Sequence, residues 1–358
     1  MYRFTDFARS LCMGALAVWL LGSCRNSPSE GKGWENVPVY QLHGESLPMP
    51  EGGEMRYPYR LAMKGDTLAV TDLHGPEYLV QLFHYPDMEH IASLGKRGNG
   101  PKEMIEAENL YWIDNTLWVL DGEKQQFVRF SFNKEKPVVE EHTNLDKSLF
   151  RPGDFVPIGN YQFMIPDYTG KCRLCRVDSA GNLLERIGSI PIEDKKILRQ
   201  SAPAVAQAWR SFVAYHPKSK LLVLTTQLGD VMEIYNLKTG GQQLIVGSQG
   251  EPKFEVHKGY GIPIGARGYG NVQITDDAIY ALYYGQTFKE IQTNLNKQTL
   301  QQGGRQIRVF NHQGKLLHIY QLEHHISGFI LTDNATTLLG VDVNIDTPIV
   351  RYKLPNQK

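Results

Sequence analysis

The chain has 358 residues, with 38 Lys and Arg against 38 Asp and Glu, so its formal net charge at pH 7 is zero. Hydrophobic residues make up 41% and charged residues 21% of the chain, which excludes a disordered, collagen-like or coiled-coil protein. A neutral chain without polybasic segments offers no electrostatic surface for nucleic acid, so we expect no nucleic acid among its partners.

The first 23 residues are organised like an export signal. Arg3 and Arg9 precede an apolar run of about eleven residues, shorter than the roughly twenty needed to cross a bilayer. The run ends in Leu-Gly-Ser-Cys at positions 21–24. This ending resembles the bacterial lipobox, whose cysteine is lipidated and begins the mature protein. We therefore predict a lipoprotein signal peptide over residues 1–23 and a lipid on Cys24; an ordinary secretory signal or an uncleaved anchor is the alternative.

Residues 24–35 have the Gly, Ser and Pro content of a linker and are predicted to tether a folded body to the membrane through the lipid. The residue after the lipidation site is Arg25, whereas Asp at that position is associated with retention in the inner membrane. This favours an outer-membrane lipoprotein of the cell envelope. The tether lacks the acidic cluster that some lipoproteins use for surface display, so we expect the protein to face the periplasm, and surface display stays open.

Residues 36–358 contain a repeated pair of β-segments. The first member of each pair begins at a turn residue and is rich in β-forming residues; these segments are 66–72, 115–121, 160–167, 219–226, 277–284 and 335–342. The second member alternates in polarity; these segments are 79–85, 126–132, 172–177, 231–235, 306–310 and 348–354. The repeats begin about 45 to 60 residues apart, close to the blade period of β-propellers. We predict an all-β, six-bladed propeller of four-stranded antiparallel blades, with a β-sandwich or two smaller β domains as the alternative.

The last repeat lacks one strand. It has segments near 328–331, 336–342 and 348–354, after which the chain ends. A spare β-segment, residues 36–42, lies upstream of the first repeat. We expect this N-terminal strand to pair with the last blade and close the ring, because a closed ring leaves no exposed strand edge at the seam.

The loop after the first repeat carries a family resemblance. Its sequence, Gly-Lys-Arg-Gly-Asn-Gly-Pro-Lys-Glu at 95–103, resembles the G-K-x-G-x-G-P-G-E-F signature of TolB-like six-bladed propeller lipoproteins of Gram-negative bacteria. Lys102 and Met104 replace the expected Gly and Phe. Residues 119–121 and 127–130 also resemble an NHL repeat. The resemblance implies the fold and a lipid anchor; it implies no activity.

The longest predicted connections fall on one face of the propeller. They are residues 95–109, 188–210, 247–270 and 286–304. Long loops in compact domains are usually functional or disordered, so this face is the candidate binding surface for a protein, peptide or glycan partner. Its basic residues could bind anionic groups and its aromatic residues could stack on a sugar ring. The candidates are Lys96, Arg97, Arg151, Trp209, Arg210, Tyr260, Arg267 and Tyr269; the alternative is that they are solvated, paired or packed within their loops.

Four aspartates recur at the ends of the second strands: Asp72, Asp121, Asp167 and Asp342. Such carboxylates could converge on the central channel and hold a divalent cation, so calcium is a possible ligand although no cofactor is expected. The alternative is that each aspartate caps the turn that follows it by accepting backbone N–H bonds.

Cys172 and Cys175 have the C-x-x-C spacing of redox and zinc sites. We predict a strand over residues 171–177, and positions three apart in a strand point to opposite faces. The sequence therefore predicts two separate, buried, structural thiols.

Catalytic motifs are missing from the sequence, which has neither G-x-S-x-G nor H-E-x-x-H. The favoured hypothesis is a non-enzymatic, lipid-anchored binding or scaffold module. The alternative is a metal-dependent lactonase, esterase or glycan lyase that uses carboxylates at the central channel; its catalytic residues cannot be named from the sequence.

Overall fold

In the computed structural model, residues 29–30, 34, 36–133, 136–332 and 335–355 are described. The predicted signal peptide and the lipidation site at Cys24 lie outside these residues. Within the described part of the chain, no helix is long and apolar enough to cross a bilayer.

Six four-stranded antiparallel sheets follow one another along the chain, as predicted. Three short strands precede them: β1 (Ser29–Glu30), β2 (Val39–Leu42) and β3 (Glu45–Ser46). Blade 1 contains β4 (Pro58–Lys64), β5 (Thr67–Asp72), β6 (Tyr78–His84) and β7 (Glu89–Lys96). Blade 2 contains β8 (Asn109–Ile113), β9 (Thr116–Asp121), β10 (Gln126–Asn133) and β11 (Lys136–Asn144). Blade 3 contains β12 (Val156–Gly159), β13 (Gln162–Pro166), β14 (Leu174–Asp178) and β15 (Leu183–Ile187).

The second half of the ring carries the larger insertions. Helices α1 (Lys195–Gln200) and α2 (Ala202–Ala208) link blade 3 to blade 4. Blade 4 contains β16 (Ser211–His216), β17 (Leu221–Thr226), β18 (Val231–Asn236) and β19 (Gln242–Val246). A hairpin of β20 (Phe254–His257) and β21 (Tyr260–Pro263) leads to blade 5. Blade 5 contains β22 (Tyr269–Ile274), β23 (Ile279–Tyr283), β24 (Gly304–Phe310) and β25 (Leu316–Ile326). Helix α3 (Phe288–Asn296) is inserted between β23 and β24. Blade 6 contains β26 (Gly328–Leu331), β27 (Thr337–Val341) and β28 (Ile349–Lys353).

The hydrophobic core is divided among the interfaces between blades. Every pair of neighbouring blades shares a cluster of buried apolar side chains. Blades 6 and 1 are included, because Leu339 and Val341 pack with Leu68 and Phe83. Apolar side chains on both faces of each sheet are thus removed from water, which is the main source of stability for such a ring. The continuous circuit of contacts excludes a sandwich of two stacked sheets.

The ring is closed by an N-terminal strand, as predicted, but the strand lies a few residues further along the chain. β3 pairs antiparallel with β28 and supplies the fourth strand of blade 6. The prediction that residues 36–42 pair with the last blade was wrong, because β2 pairs in parallel with β25 on the outer edge of blade 5. The long β25 leaves an edge of unpaired backbone groups, and β2 covers it.

Gly44 allows the chain to cross from blade 5 to blade 6. A Cβ atom at this position would lie 2.5 Å from Val350 Cγ1, 2.8 Å from His324 Cδ2 and 2.9 Å from Tyr352 Cε1. Only a residue without a side chain fits between these groups. The N-terminal segment therefore joins the last two blades as well as completing the ring.

Candidate functional site

The connections between blades and the turns between second and third strands lie on the same side of the ring. This loop-bearing face carries residues 97–108, 188–210, 247–268 and 284–303, close to the ranges expected from the sequence. A pocket of about 450 Å³ opens on it, a size within the range of small-molecule sites. It is lined by Glu106, Glu108, Gly122, Glu123, Phe150, Arg151, Pro152, Tyr168, Pro203, Gln207, Arg210, Gly259 and Tyr260. We call it the loop-face pocket.

Two glutamates lie together in the loop-face pocket. The carboxyl groups of Glu106 and Glu108 are close enough to shift each other's pKa. Burial, followed by the charge of Glu108, raises the pKa of Glu106 to about 7, and burial also raises the pKa of Glu108. Two neighbouring negative charges repel each other in a partly buried site. The pair therefore resists the loss of its last proton more strongly than an exposed glutamate does.

Asp121 positions these glutamates. Its carboxylate accepts hydrogen bonds from the backbone N–H groups of Ile105 at 2.8 Å and Lys124 at 3.0 Å. One side chain at the end of β9 thus fixes both its own turn and the link that carries the glutamate pair. Burial raises the pKa of Asp121, and these N–H donors oppose the shift.

Arg210 supplies a positive charge to the pocket. Its guanidinium lies 4.8 Å from the centre of the Tyr168 ring, a cation–π contact. Its charge lowers the pKa of Glu108, against the effect of burial. Nε of Arg210 is buried and has no hydrogen-bond partner among the described residues. Gly153 allows this approach, because a Cβ there would lie 2.8 Å from Nη2 of Arg210.

Arg151 lies at the mouth of the pocket and is paired with Glu123. Its φ angle is 42°, in the left-handed region that residues other than glycine seldom adopt. Such conformations are concentrated at functional sites, where the surrounding structure maintains them. Because Arg151 is neutralised by its partner, the ionisable groups that remain in the pocket are Arg210 and the pair Glu106 and Glu108.

The rim of the pocket is aromatic. Phe150 is 58% exposed and Tyr260 is 63% exposed. Tyr260 reaches the pocket because the β20–β21 hairpin packs on α2, where Gly261 donates its backbone N–H to Oε1 of Gln207 at 3.1 Å. A Cβ on Gly261 would lie 2.5 Å from the carbonyl oxygen of Ala204, so glycine permits this close contact.

Of the eight candidate binding residues predicted from the sequence, the loop-face pocket brings together Arg151, Arg210 and Tyr260. Lys96 at the end of β7 and Arg97 at the start of the following link lie outside the pocket, with Lys96 paired to Glu103 at 3.3 Å. Arg267 also lies elsewhere, 4.2 Å from the centre of the Tyr284 ring.

Two of the predicted binding residues are core residues, and this corrects their assignment. Trp209 is fully buried and packs in the cluster beneath α2. Tyr269 is 2% exposed, and its hydroxyl donates to Oδ1 of Asp230 at 2.8 Å. Neither ring is exposed for stacking on a ligand, because the large apolar surface of Trp209 is buried beneath α2 and that of Tyr269 between blades 4 and 5.

The four recurring aspartates are separate from one another, each at its own turn. All four are buried. Asp72 accepts the backbone N–H groups of Arg56 and Tyr57, and Asp121 accepts those of Ile105 and Lys124. Asp167 accepts those of Lys171 and Cys172, and Asp342 accepts that of Asn344. Among the described residues, the only group of three or more potential metal ligands in close range is Asp167, Cys172 and Cys175. The observed geometry is that of turn caps.

The central channel holds a second cavity, of about 230 Å³. Arg60 lines it, with its guanidinium 4.1 Å from the centre of the Tyr59 ring and 4.5 Å from that of Phe212. Asp154 accepts the backbone N–H of Val213 at 2.9 Å and ties neighbouring inner strands together. Burial raises the pKa of Asp154 to about 6, opposed by Arg60. These contacts connect the inner strands around the channel.

Sequence reasoning missed Glu106 and Glu108. The available signal was the Glu-x-Glu at the end of the blade 1 link, just before β8. Only the fold brings it beside Arg210, about a hundred positions later in the chain, so the pattern by itself carried no pairing information.

The fold and the loop-face pocket define a six-bladed β-propeller with a ligand-sized cleft. A family model described as TolB-like 6-blade propeller-like matches residues 43–334. The chain therefore belongs to the TolB-like six-blade propeller family. No curated protein matches the chain.

Solved structures with the same fold have distant sequences. A Bacteroides fragilis protein described as exported is 9% identical with a TM-score of 0.56, over 89% of this chain and 99% of that one. A member of the DUF4221 family from Bacteroides vulgatus is 8% identical with a TM-score of 0.55, over 87% and 97%. A luciferin-regenerating enzyme is 9% identical with a TM-score of 0.51, over 87% and 95%. At these identities the likeness shows the fold alone.

Proposed function

We propose that this protein is a lipid-anchored binding module of the cell envelope whose loop-face pocket takes the end of a glycan. Its anchor is the lipid on Cys24, and its site faces the periplasm from the outer membrane. Family membership and the lipobox-like ending at positions 21–24 support the location. The observation that carries the binding role is the combination of a balanced polar floor and an exposed aromatic rim in one pocket.

Charge balance in the pocket supports a neutral, hydroxyl-rich ligand. Arg151 and Glu123 neutralise each other, and Arg210 lies beside a glutamate pair in which burial raises both pKa values and so opposes double ionisation. The floor thus offers both donors and acceptors without a net charge to attract an ion. Sugar hydroxyl groups both donate and accept hydrogen bonds, so they complement such a surface.

The exposed rings of Phe150 and Tyr260 supply the apolar part of the site. Large rigid aromatic side chains contribute much contact area with little conformational entropy to lose. A pocket of about 450 Å³ takes a small ligand or the end of a longer chain. A flat protein partner would leave the pocket unfilled.

The experiment is a binding screen of the full-length protein against immobilised oligosaccharides, followed by calorimetric titration with the best-bound sugar. Tyr260→Ala should weaken binding about tenfold, since a hot-spot aromatic contributes about 1.4 kcal/mol or more. Tyr161→Ala is the matched control, because Tyr161 is 53% exposed in the β12–β13 turn on the opposite face. A screen in which peptides bind and sugars do not would replace the glycan with a peptide, and equal binding by both variants would remove the pocket from the function.

A second candidate, a hydrolase or lyase, is favoured by one observation: Glu106 is poised to exchange a proton near neutral pH. The lactonase and esterase forms of this hypothesis need a metal, for which we propose no resident ion. If the wild-type protein hydrolyses a chromogenic ester or glycoside and the Glu106→Gln variant does not, the enzyme hypothesis is favoured over the binding module.

A further inference from the structure

Cys172 and Cys175 are in contact, contrary to the expectation that their side chains point to opposite faces. Their Sγ atoms are 3.6 Å apart and both residues are buried. The expectation was wrong because the strand begins later: β14 starts at Leu174, so Cys172 lies in the preceding turn. The alternation rule applies only within a strand, and the turn brings the first sulfur back over the second.

Arg186 covers the two sulfur atoms. Its Nη1 lies 3.7 Å from Sγ of Cys172 and 3.6 Å from Sγ of Cys175. The same nitrogen lies 3.5 Å from Oδ1 of Asp167. A metal ion bound by Asp167 and both cysteines would have to occupy the region that this guanidinium fills, and the two positive charges would repel each other. The cluster is therefore arranged around the fixed cation of Arg186, which argues against a metal centre.

The two thiols have different electrostatic environments. The hydrogen bond from Cys175, with help from Arg186, lowers the pKa of Cys172. The same hydrogen bond and burial raise the pKa of Cys175 well above the usual range. A thiolate is the nucleophile in disulfide exchange, so Cys172 is the attacking residue and Cys175 the resolving one. Oδ1 of Asp167, 3.9 Å from Sγ of Cys175, is placed to take the proton of the resolving thiol.

We propose that Cys172 and Cys175 form a reversible disulfide by exchange with an external disulfide, either a small molecule or another protein. The Cys172 thiolate attacks one sulfur of the external disulfide, whose second sulfur leaves as a thiolate. Cys175 then loses its proton and attacks Cys172, releasing the other external thiol. The protein loses two protons and two electrons, and the external disulfide is reduced to two thiols.

Only a modest movement is needed. The two sulfur atoms must approach from 3.6 Å to the disulfide bond length of about 2.0 Å. Cys172 is 3% exposed, and the Arg186 side chain above it is 26% exposed, so the external disulfide gains access when Arg186 swings outward. The bond would close the turn after β13, and this turn also carries Tyr168 of the loop-face pocket. The disulfide is independent of which ligand the pocket binds.

The experiment equilibrates the full-length protein with mixtures of reduced and oxidised glutathione, blocks free thiols by alkylation and maps the peptides. Mapping separates this pair from Cys12 and Cys24. Under oxidising mixtures, residues 172–175 should lose two hydrogens and resist alkylation at both cysteines together. Cys175→Ser should accumulate a glutathione adduct on Cys172, whereas Cys172→Ser should form at least tenfold less adduct on Cys175.

Two results would overturn the disulfide. The first is that both thiols of the wild-type protein are still alkylated when the protein is denatured after equilibration with every glutathione mixture. The second is reduced protein that binds one zinc ion per chain and releases it in Cys172→Ser. The wild-type measurement does not depend on either variant folding.

Discussion

Glu106 and Glu108 lie together at the floor of the loop-face pocket, where burial raises the pKa of both carboxyl groups. Mutual repulsion also opposes double ionisation, whereas the charge of Arg210 favours the ionised form of Glu108. We expect the hydrogen-bonding character of the pair to change when Glu106 loses its proton, at a pH of about 7.

The stability of the folded protein should depend on Glu106. Its pKa is about 7 in the folded state against an ordinary value of 4.5, so between these values the folded chain binds more protons than the unfolded chain. The contribution of Glu106 to stability is then lost as pH rises from about 4.5 to about 7. In urea titrations, Glu106→Gln should gain on the order of 1–2 kcal/mol relative to wild type between pH 5 and pH 8, after a discount for partial exposure. Glu255→Gln, an exposed position on the β20–β21 hairpin, is the control, and parallel profiles for wild type and Glu106→Gln would refute the raised pKa of Glu106.

A buried ion pair joins blades 3 and 4. Arg173 and Glu233 are fully buried, with Nη2 of Arg173 2.6 Å from Oε1 of Glu233. Glu233→Gln leaves the guanidinium without its counter-charge, so we expect a loss of about 3–5 kcal/mol in the free energy of unfolding. The matched control is Glu185→Gln, whose partner Arg176 lies at 2.9 Å in a largely exposed pair; it should lose about 1 kcal/mol or less. Similar losses in both variants, measured by chemical denaturation, would mean that burial does not set the strength of the pair.

Gly44 should be sensitive to any side chain. Gly44→Ala places a methyl group within 2.9 Å of three side chains between blades 5 and 6, and overpacking of this kind costs about 1–3 kcal/mol. The control is Gly241→Ala, where the nearest atom to the added Cβ is Oγ1 of Thr239 at 3.3 Å on an exposed turn. Thermal unfolding should show a lower midpoint for Gly44→Ala than for Gly241→Ala. Equal midpoints would show that the N-terminal segment contributes little to ring closure.

Asp121 tests the cap interpretation of the recurring aspartates. Asp121→Ala leaves backbone N–H groups around Ile105 and Lys124 without their acceptor, which should lower the free energy of unfolding by about 1–3 kcal/mol. Calcium or a chelator should shift the thermal midpoint of neither wild type nor variant. If calcium raises the thermal midpoint of the wild-type protein and does not raise that of Asp121→Ala, the Asp121 carboxylate is instead a metal ligand.

Much of the ring could be predicted from the sequence because its signals are local. Alternating apolar residues and turn residues fix where a strand begins and ends, as at β9 and β10, and the interval between repeats fixes the number of blades. The spare strand at the N-terminus was also predictable. Its pairing partner was not, since β2 and β3 both carry strand character and the choice of sheet edge depends on the assembled blades.

The pocket residues were only partly predictable. Arg151, Arg210 and Tyr260 were found from their place in long loops, whereas Trp209 and Tyr269 occupy similar loops and are buried. An aromatic residue in a loop can pack inward or remain exposed, and the sequence does not distinguish the two outcomes. The expectation for the C-x-x-C pair was wrong for a related reason: β14 begins at Leu174, three residues later than predicted, so Cys172 lies in a turn where strand alternation does not apply.

The sequence by itself determined the six-blade architecture and the face that carries the long loops, since periodicity and turn chemistry act over a few neighbouring residues. Only the tertiary structure decided that Glu106, Glu108, Arg210 and Tyr260 share one pocket and that Arg186 lies over two cysteines. These groups come from different blades and links, and they meet only when the ring closes and the apolar faces of neighbouring blades pack together. Their pKa values and contacts depend on burial and distance, which are properties of the assembled ring and of no single segment.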